Sequence, residues 1–175
     1  MLGHNHLVVN KNLQPIVQIL TPKNKTAKNL IMLDRDGTIN RDFGYTHKLS
    51  DLFILKKNLK IVNKFINAES VVFCITNQSG IGRGFFTESE ATTFNQALYR
   101  ELKKHGIKVE VFYICPHAPE SKCMCRKPRT LMIEMALQYS NIPLSNSIFI
   151  GDSKSDLAAC HKLGVKFIQV PKNNI

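Results

Sequence analysis

Two carboxylates one residue apart are the strongest chemical signal in this sequence of 175 residues. Asp34 and Asp36 follow the apolar run at positions 30–33, and Gly37 comes next. Side chains on an extended backbone repeat every second residue, so both carboxylates can point to the same side. Glycine permits a sharp turn just beyond them. Carboxylates this close repel each other unless a cation or a shared proton lies between them. A hard cation such as Mg²⁺ suits two oxygen ligands and an incoming phosphate.

Further polar residues follow apolar runs, or the loop after one, later in the chain. They are Thr76, Asn77, Gln78 and Ser79, then Arg126 and Lys127, and finally Gly151 and Asp152 with Asp156. The carboxyl ends of parallel strands meet at one edge of a sheet, so these side chains are expected to converge there. Asp152 can then supply a third acidic metal ligand, and Thr76 can donate a hydrogen bond to a phosphoryl oxygen. Lys127 can neutralise charge that builds in a transition state.

A glycine-rich stretch follows the second polar group. Glycines at positions 80, 82 and 84 predict an open loop, from which Arg83 could reach a phosphate.

The segment 115–125 predicts a metal centre of a different kind. It contains three thiols and one imidazole, from Cys115, His117, Cys123 and Cys125. Four nitrogen and sulfur ligands suit tetrahedral Zn²⁺ with no open position, which is typical of a structural site. Arg126 and Lys127 follow directly, so the metal would fix their position, and no catalytic role is assigned to zinc.

From residue 30 onward, patterns typical of strands and helices alternate. Strands are predicted at 30–33, 71–75, 109–114, 147–150 and 165–170, and helices at 59–65, 89–105, 130–139 and 155–163. Apolar strands alternating with helices indicate an α/β fold whose parallel sheet is covered on both faces. Residues 1–29 are treated as an N-terminal arm of uncertain order, which is either an added hairpin or a loose segment. His4 and His6 in this arm are not expected to bind metal. Residues 30–175 are expected to form one domain.

Composition limits the classes of function. Lys and Arg number 24 against 13 Asp and Glu, a net charge of +11, which favours an anionic partner such as a phosphorylated metabolite. No basic run is interleaved with aromatic residues, so nucleic acid is an unlikely partner. No apolar run approaches the ~18 residues needed to cross a membrane, and no secretion signal is visible, so a cytoplasmic location is expected.

The motifs together resemble those of the haloacid dehalogenase superfamily of phosphotransferases. The run 34–38 resembles its first motif, Thr76-Asn77 the second, Lys127 the third, and Gly151-Asp152 with Asp156 the fourth. The cysteine-rich loop is similar to that of the branch containing heptose bisphosphate phosphatases and histidinol phosphatases. Within this branch, the segments 42–45, 77–84 and 125–128 look more like the heptose bisphosphate enzymes.

The resemblance implies a three-layer α/β sandwich with a central first strand and no large cap domain. It implies Asp34 as nucleophile, Asp36 as general acid and then base, and Thr76 and Lys127 as stabilisers of the phosphoryl group. Mg²⁺ would be held by Asp34, the Asp36 carbonyl and Asp152. The implied substrate-binding residues are Asp42, Phe43, Gly44, Tyr45, Thr76, Asn77, Gln78, Ser79, Arg83, Arg126 and Lys127. The expected activity is release of the 7-phosphate of a heptose 1,7-bisphosphate, through an aspartyl-phosphate, by a monomer.

Two departures and two alternatives accompany this interpretation. Many relatives are expected to have a basic residue directly after the fourth-motif aspartate, whereas this chain has Ser153 and then Lys154. The loop has the short form, five residues between His117 and Cys123, which histidinol phosphatases share. Hydrolysis of histidinol phosphate is therefore the alternative within phosphatases. From another class, the alternative is a zinc-stabilised nucleic-acid-binding module without catalysis.

Overall fold

Six strands form one sheet in the computed structural model of the protein, which describes residues 13 to 172. The strands are β1 (Ile16–Ile19), β2 (Asn29–Leu33), β3 (Ser70–Asn77), β4 (Val109–Cys115), β5 (Ser147–Gly151) and β6 (Lys166–Gln169). Their order across the sheet is β1-β4-β3-β2-β5-β6. All pairings are parallel except that of β1 with β4. The strand β2 therefore lies inside the sheet between β3 and β5, so its carboxyl end has a neighbour on each side.

Residues 13 to 172 contain five α-helices. They are α1 (Lys56–Val62), α2 (Ser79–Gly82), α3 (Glu88–Lys104), α4 (Leu131–Ser140) and α5 (Lys154–Leu163). The helix α3 begins one residue before the predicted position 89, and Thr87 and Glu90 form a reciprocal capping box at its first turn. A second capping box, made by Ser153 and Asp156, begins α5, and Gly164 ends it with a positive φ of 70°.

Alternating side chains of the strands divide the core into two halves. Leu30 and Met32 of β2 belong to the half that includes residues of α4 and α5. Ile31 and Leu33 belong to the other half, with residues of α1 and α3. Burial on both faces explains why the strand sequences are continuously apolar rather than alternating. The predicted α/β fold, a three-layer sandwich around a mainly parallel sheet, is confirmed.

The N-terminal part of the chain contributes a strand that the sequence analysis did not predict. Ile16 to Ile19 pair antiparallel with β4, in the register Ile16 to Ile114 and Ile19 to Val111. Residues 16–19 are therefore not a loose segment, since their partner β4 lies almost one hundred residues away in the sequence. The rest of a hairpin would fall in residues 1–12, outside the described residues. His4 and His6 lie outside the described residues.

None of the helices between residues 13 and 172 has the length and apolar character needed to cross a membrane.

Candidate active site

A cavity of about 340 Å³ lies at the carboxyl ends of β2, β3 and β5. It is lined by Asp34, Asp36, Asp42, Gly44, Tyr45, Thr46, Thr76, Asn77, Gln78, Ser79, Gly80, Lys127, Asp152, Ser153, Ser155 and Lys172. Apart from Arg126, the predicted polar side chains therefore converge at the carboxyl ends of these strands. A larger groove of about 1040 Å³ lies against α1 and α3, but it contains one carboxylate, Glu101, and none of the residues predicted to do chemistry.

Lys127 lies at the centre of the site between two carboxylates. Its ammonium group lies 2.6 Å from Asp34 Oδ1 and 2.7 Å from Asp156 Oδ1, and it donates to the carbonyl of Ile75 at 2.7 Å. Burial opposes the charged form, but the carboxylates of Asp156 and Asp34 raise the pKa of Lys127 above its ordinary value. The lysine is therefore a fixed positive charge. Its backbone is fixed as well, because Asn77 makes two reciprocal hydrogen bonds to Lys127 N and O, at 3.0 and 3.1 Å.

Asp34 and Asp152 face each other across a shared hydroxyl. Thr38 Oγ1 lies 3.3 Å from Asp34 Oδ2 and 3.3 Å from Asp152 Oδ1. Burial raises the pKa of Asp34 to about 8, and the nearby carboxylates of Asp156 and Asp152 add to the rise while Lys127 opposes it. Gly37, with φ of +85°, makes this approach possible, because a Cβ there would lie 2.4 Å from Asp152 Oδ2.

These carboxylates fit a divalent cation. Ligand oxygens of Asp34, Asp152 and Asp156 lie within 4.8 Å of one another. Both Asp156 oxygens are already engaged, one by Lys127 and the other by the Ser153 hydroxyl at 2.7 Å. Asp34 Oδ1 also meets Lys127, whereas Asp34 Oδ2 and Asp152 Oδ1 are contacted at 3.3 Å by the Thr38 hydroxyl. Asp34 and Asp152 are therefore the side chains best suited to a hard cation.

The Asp36 side chain is anchored away from this pair. Its Oδ2 accepts hydrogen bonds from Arg35 Nε at 3.0 Å, Arg35 Nη2 at 2.7 Å and Gln78 Nε2 at 2.8 Å. Gln78 also donates to Thr76 Oγ1 at 2.8 Å, which links Asp36 to the end of β3. Its Oδ1 is buried and has no hydrogen-bond partner among residues 13–172.

Three residues predicted to bind substrate do not line the cavity, namely Phe43, Arg83 and Arg126. The Arg41 guanidinium lies over the Phe43 ring, 5.4 Å from its centroid. Arg83 pairs with Glu120 at 3.1 Å instead of facing the site. Arg126 has a buried Nη1 without a hydrogen-bond partner among the described residues. The other predicted substrate-binding residues line the cavity.

Several cavity residues were not predicted from the sequence as site residues. They are Thr46, Gly80, Ser153, Ser155 and Lys172. Ser153 and Ser155 lie beside a recognised motif, so a search of neighbouring hydroxyl groups would have found them. Nothing local marks Lys172, which reaches the cavity because the residues after β6 lie beside the loop that follows β2. Asn58 makes this connection, donating to the carbonyls of Thr38 at 3.0 Å and Pro171 at 3.3 Å.

The predicted glycine loop is in part a helical turn. Residues Ser79–Gly82 form α2, whose Gly82 N donates to the carbonyl of Pro116 at 2.7 Å. A Cβ at Gly82 would lie 2.7 Å from Ala118 N and 2.8 Å from that carbonyl. The expectation of an open loop was therefore wrong here, since this glycine allows close packing against the segment 116–118.

The four predicted zinc ligands form one buried cluster. Their ligand atoms lie within 4.8 Å of one another, and none of the cysteines is in a disulfide. Cys115 Sγ lies 3.7 Å from Cys123 Sγ, and His117 Nδ1 lies 3.5 Å and 3.2 Å from the sulfurs of Cys115 and Cys125. Zinc–sulfur bonds of about 2.3 Å at tetrahedral angles separate two sulfurs by roughly 3.8 Å, so these distances fit a tetrahedral Zn²⁺.

Comparison with known proteins gives a consistent result. Residues 124–174 match the family described as HAD-hydrolase-like. The chain is 41% identical over 122 residues to "Probable D-glycero-D-manno-heptose-1,7-bisphosphate 7-phosphatase" of Thermoplasma volcanium, covering 70% of this chain and 84% of the relative. It is 37% identical over 152 residues to the protein of the same name from Thermoplasma acidophilum, covering 86% and 95%.

A solved structure agrees with both relatives. The D,D-heptose 1,7-bisphosphate phosphatase of B. bronchiseptica, crystallised with magnesium and phosphate, superposes with a TM-score of 0.76 and 31% identity. The match covers 83% of this chain and 82% of that one. With this fold and these levels of identity, the chain belongs to the D-glycero-D-manno-heptose-1,7-bisphosphate 7-phosphatase family of HAD-like hydrolases.

Proposed function

We propose that this protein is a Mg²⁺-dependent phosphatase that releases the 7-phosphate of D-glycero-D-manno-heptose 1,7-bisphosphate. The observation that carries the proposal is the Asp34 carboxylate, which lines the cavity 2.6 Å from a buried ammonium group and shares a hydroxyl with Asp152. The names of the relatives support the substrate. The product is a heptose monophosphate, suited to the synthesis of nucleotide-activated heptose.

In the proposed reaction, Asp34 attacks the phosphorus atom and forms an aspartyl-phosphate. The bond from phosphorus to the sugar oxygen breaks, and Asp36 donates a proton to that oxygen. Asp36 then takes a proton from a water molecule that attacks the phosphorus, which releases inorganic phosphate and restores Asp34. Lys127 and the Thr76 hydroxyl stabilise the charge on the transferring group.

Magnesium is proposed to bind to Asp34, the Asp36 carbonyl and Asp152. When bound, it would supply positive charge that offsets the repulsion between the carboxylates and the phosphoryl oxygens.

A structural zinc ion is proposed at Cys115, His117, Cys123 and Cys125. Its role would be to hold the segment 115–125, which has little regular structure, so that Lys127 stays at the edge of the sheet.

The substrate is proposed to contact the loop 42–45 and the segment 76–79, beside Lys127. Of the first loop, Asp42, Gly44 and Tyr45 line the cavity.

The protein is proposed to act as a cytoplasmic monomer. The buried free thiols support this location, since a reducing compartment keeps a thiolate metal site intact.

The experiment that tests the function measures phosphate release, with Mg²⁺, from both anomers of heptose 1,7-bisphosphate and from histidinol phosphate. A kcat/KM at least tenfold higher for one of the bisphosphates is the expected result. Preference for histidinol phosphate would assign the protein to that hydrolysis instead. Turnover of neither, together with binding of nucleic acid, would favour the non-catalytic alternative.

A further inference from the structure

The side chain of Arg35, between the two motif aspartates, is completely buried and fully engaged. Its Nε and Nη2 both donate to the same oxygen of Asp36, at 3.0 and 2.7 Å. Nη1 donates to Asn95 Oδ1 at 3.0 Å, and Nη2 also donates to the carbonyl of Thr46 at 2.6 Å. The guanidinium lies over the Phe94 ring, 4.7 Å from its centroid.

A buried ion pair contributes little net stability to a fold, because the cost of desolvation offsets the attraction between the charges. What a guanidinium offers instead is a planar fork that fixes the orientation of a carboxylate. Here the partners on every side of Arg35 prevent the fork from rotating. The contacts therefore suit a role in geometry better than a role in stability.

The two oxygens of Asp36 have different surroundings. Oδ2 receives three hydrogen bonds, two from Arg35 and one from Gln78. Oδ1 is buried and has no hydrogen-bond partner within residues 13–172. The Asp36 carboxyl is thus anchored through one oxygen, which receives all three of these hydrogen bonds.

We propose that Arg35 is a positioning residue, which anchors the Asp36 carboxyl in the orientation in which Asp36 transfers the proton to and from the reacting oxygens. This inference rests on the proposed function, in which Asp36 is the general acid and base. Arg35 itself touches no reacting atom, since it does not line the cavity.

The anchor extends to elements far from the site. Asn95, which holds Nη1, donates in turn to Gln18 Oε1 of β1 at 3.1 Å. Gln18 Nε2 donates to the carbonyl of Thr92 at 3.0 Å. Asp36 is thus connected through Arg35 to α3 and to the antiparallel edge strand. The bond to Thr46 connects the same guanidinium to the loop that lines the cavity.

The test compares two leaving groups in Arg35→Lys, which keeps the charge but loses the fork. A sugar alkoxide needs a proton as it leaves, whereas the nitrophenolate of p-nitrophenyl phosphate does not. The measured quantity is kcat/KM, because it reports steps up to phosphorylation of Asp34 and excludes the shared hydrolysis of the aspartyl-phosphate. We expect kcat/KM for heptose bisphosphate to fall roughly 100-fold, and that for p-nitrophenyl phosphate less than fivefold.

An equal loss with both substrates, or no loss with either, would overturn the proposal. Arg100→Lys, an exposed arginine on α3, is the matched control and is expected to change neither value. If Arg35→Lys does not fold, as judged by thermal melting, Asn95→Ala is used, with the same unequal loss expected at smaller size. Wild-type turnover of p-nitrophenyl phosphate without turnover of heptose bisphosphate would reject the proposed function instead. Histidinol phosphate, also an alkyl ester, would then replace the bisphosphate in the comparison.

Discussion

The balance of charge around Lys127 determines what the site can bind. Three carboxylates, from Asp34, Asp152 and Asp156, lie within 4.8 Å of one another around one ammonium group. The local charge is therefore negative, although the whole chain carries +11. A phosphate dianion would be repelled from this arrangement. A divalent cation would remove the repulsion, which is the role proposed for Mg²⁺.

Asp34→Asn tests the nucleophile. An amide cannot form an aspartyl-phosphate, so we expect phosphate release to fall at least about 10³-fold. The fold and the zinc content should be retained, because the amide fits the same space and the zinc cluster is elsewhere. Thermal melting and elemental analysis check both points. Asp51→Asn, outside the cavity, is the control and should keep wild-type turnover, whereas activity of Asp34→Asn within tenfold of wild type would exclude the mechanism.

Lys172→Ala tests the recognition of a second phosphate. Lys127 and Lys172 are the two cationic residues among the described lining of the cavity, and Lys127 is already held by carboxylates. Lys172 is exposed and is therefore free to meet the distal phosphate. Loss of one charged contact, worth about 1 kcal/mol, should raise KM for heptose 1,7-bisphosphate about five- to tenfold. KM for p-nitrophenyl phosphate, which has one phosphate, should not change.

Lys166→Ala, an exposed lysine on β6, is the control for that experiment. Equal KM changes for the two substrates would show that Lys172 acts through general charge and not through a second phosphate.

At the scale of elements, the local sequence predicted which polar residues lie at the end of each strand but did not predict which strands pair. The motif residues Asp34, Thr76 and Asp152 follow strongly apolar strands, so their place on the edge followed from the parallel topology. The strand β1 has alternating burial over only four residues, and its existence depends on pairing with β4. Strand propensity depends on such tertiary context, which no local pattern contains.

The same limitation explains why the predictions for Gly82 and Arg83 differ from the structure. Gly82 is a glycine because a distant segment, 116–118, packs against it. Arg83 is turned toward Glu120 of that same region, on the exposed side of the loop. Both contacts join segments more than thirty residues apart. The glycine content alone therefore predicted an open loop, from which Arg83 could reach a phosphate, where the fold has a packed turn.

Cys123→Ser tests the role of the zinc loop. Zinc would connect the end of β4 to the segment that precedes Lys127, so losing one thiolate should release the ion. We expect zinc to fall from about one per chain to none, and Tm to fall by roughly 10 °C. The kcat/KM should fall as well, because Lys127 loses part of its support. Elemental analysis and thermal melting give the first two values.

Cys160→Ala is the control for a lost thiol, since Cys160 is buried in the core outside the cluster. It should keep its zinc. Chelator-washed, folded wild-type protein that contains no zinc would contradict the proposed metal centre.

At the scale of the whole molecule, the two ends of the sheet differ in chemistry. The carboxyl end holds the catalytic groups, and the amino end holds a second cavity of about 340 Å³. Glu110 of β4 lines this second cavity with only 3% of its surface exposed. Its Oε2 accepts a hydrogen bond from Asn24 N at 2.8 Å, while Oε1 has no such partner in the described part of the chain. Burial therefore raises the pKa of Glu110, although the hydrogen bond from Asn24 and the charge of Lys23 oppose the rise.

Glu110→Gln should make the protein more stable at neutral pH but not in acid. Because the folded-state pKa lies above the unfolded value of 4.5, the folded protein favours the protonated carboxyl, and its stability falls as pH rises through the folded pKa. Glutamine resembles that neutral form at every pH, so Tm of the variant should match wild type near pH 4.5 and exceed it at pH 8. Thermal melting from pH 4.5 to 8 measures this difference. Glu134→Gln, exposed on α4, should follow the wild-type curve, and a Glu110→Gln variant less stable at pH 8 would mean that the ionised carboxylate stabilises the fold.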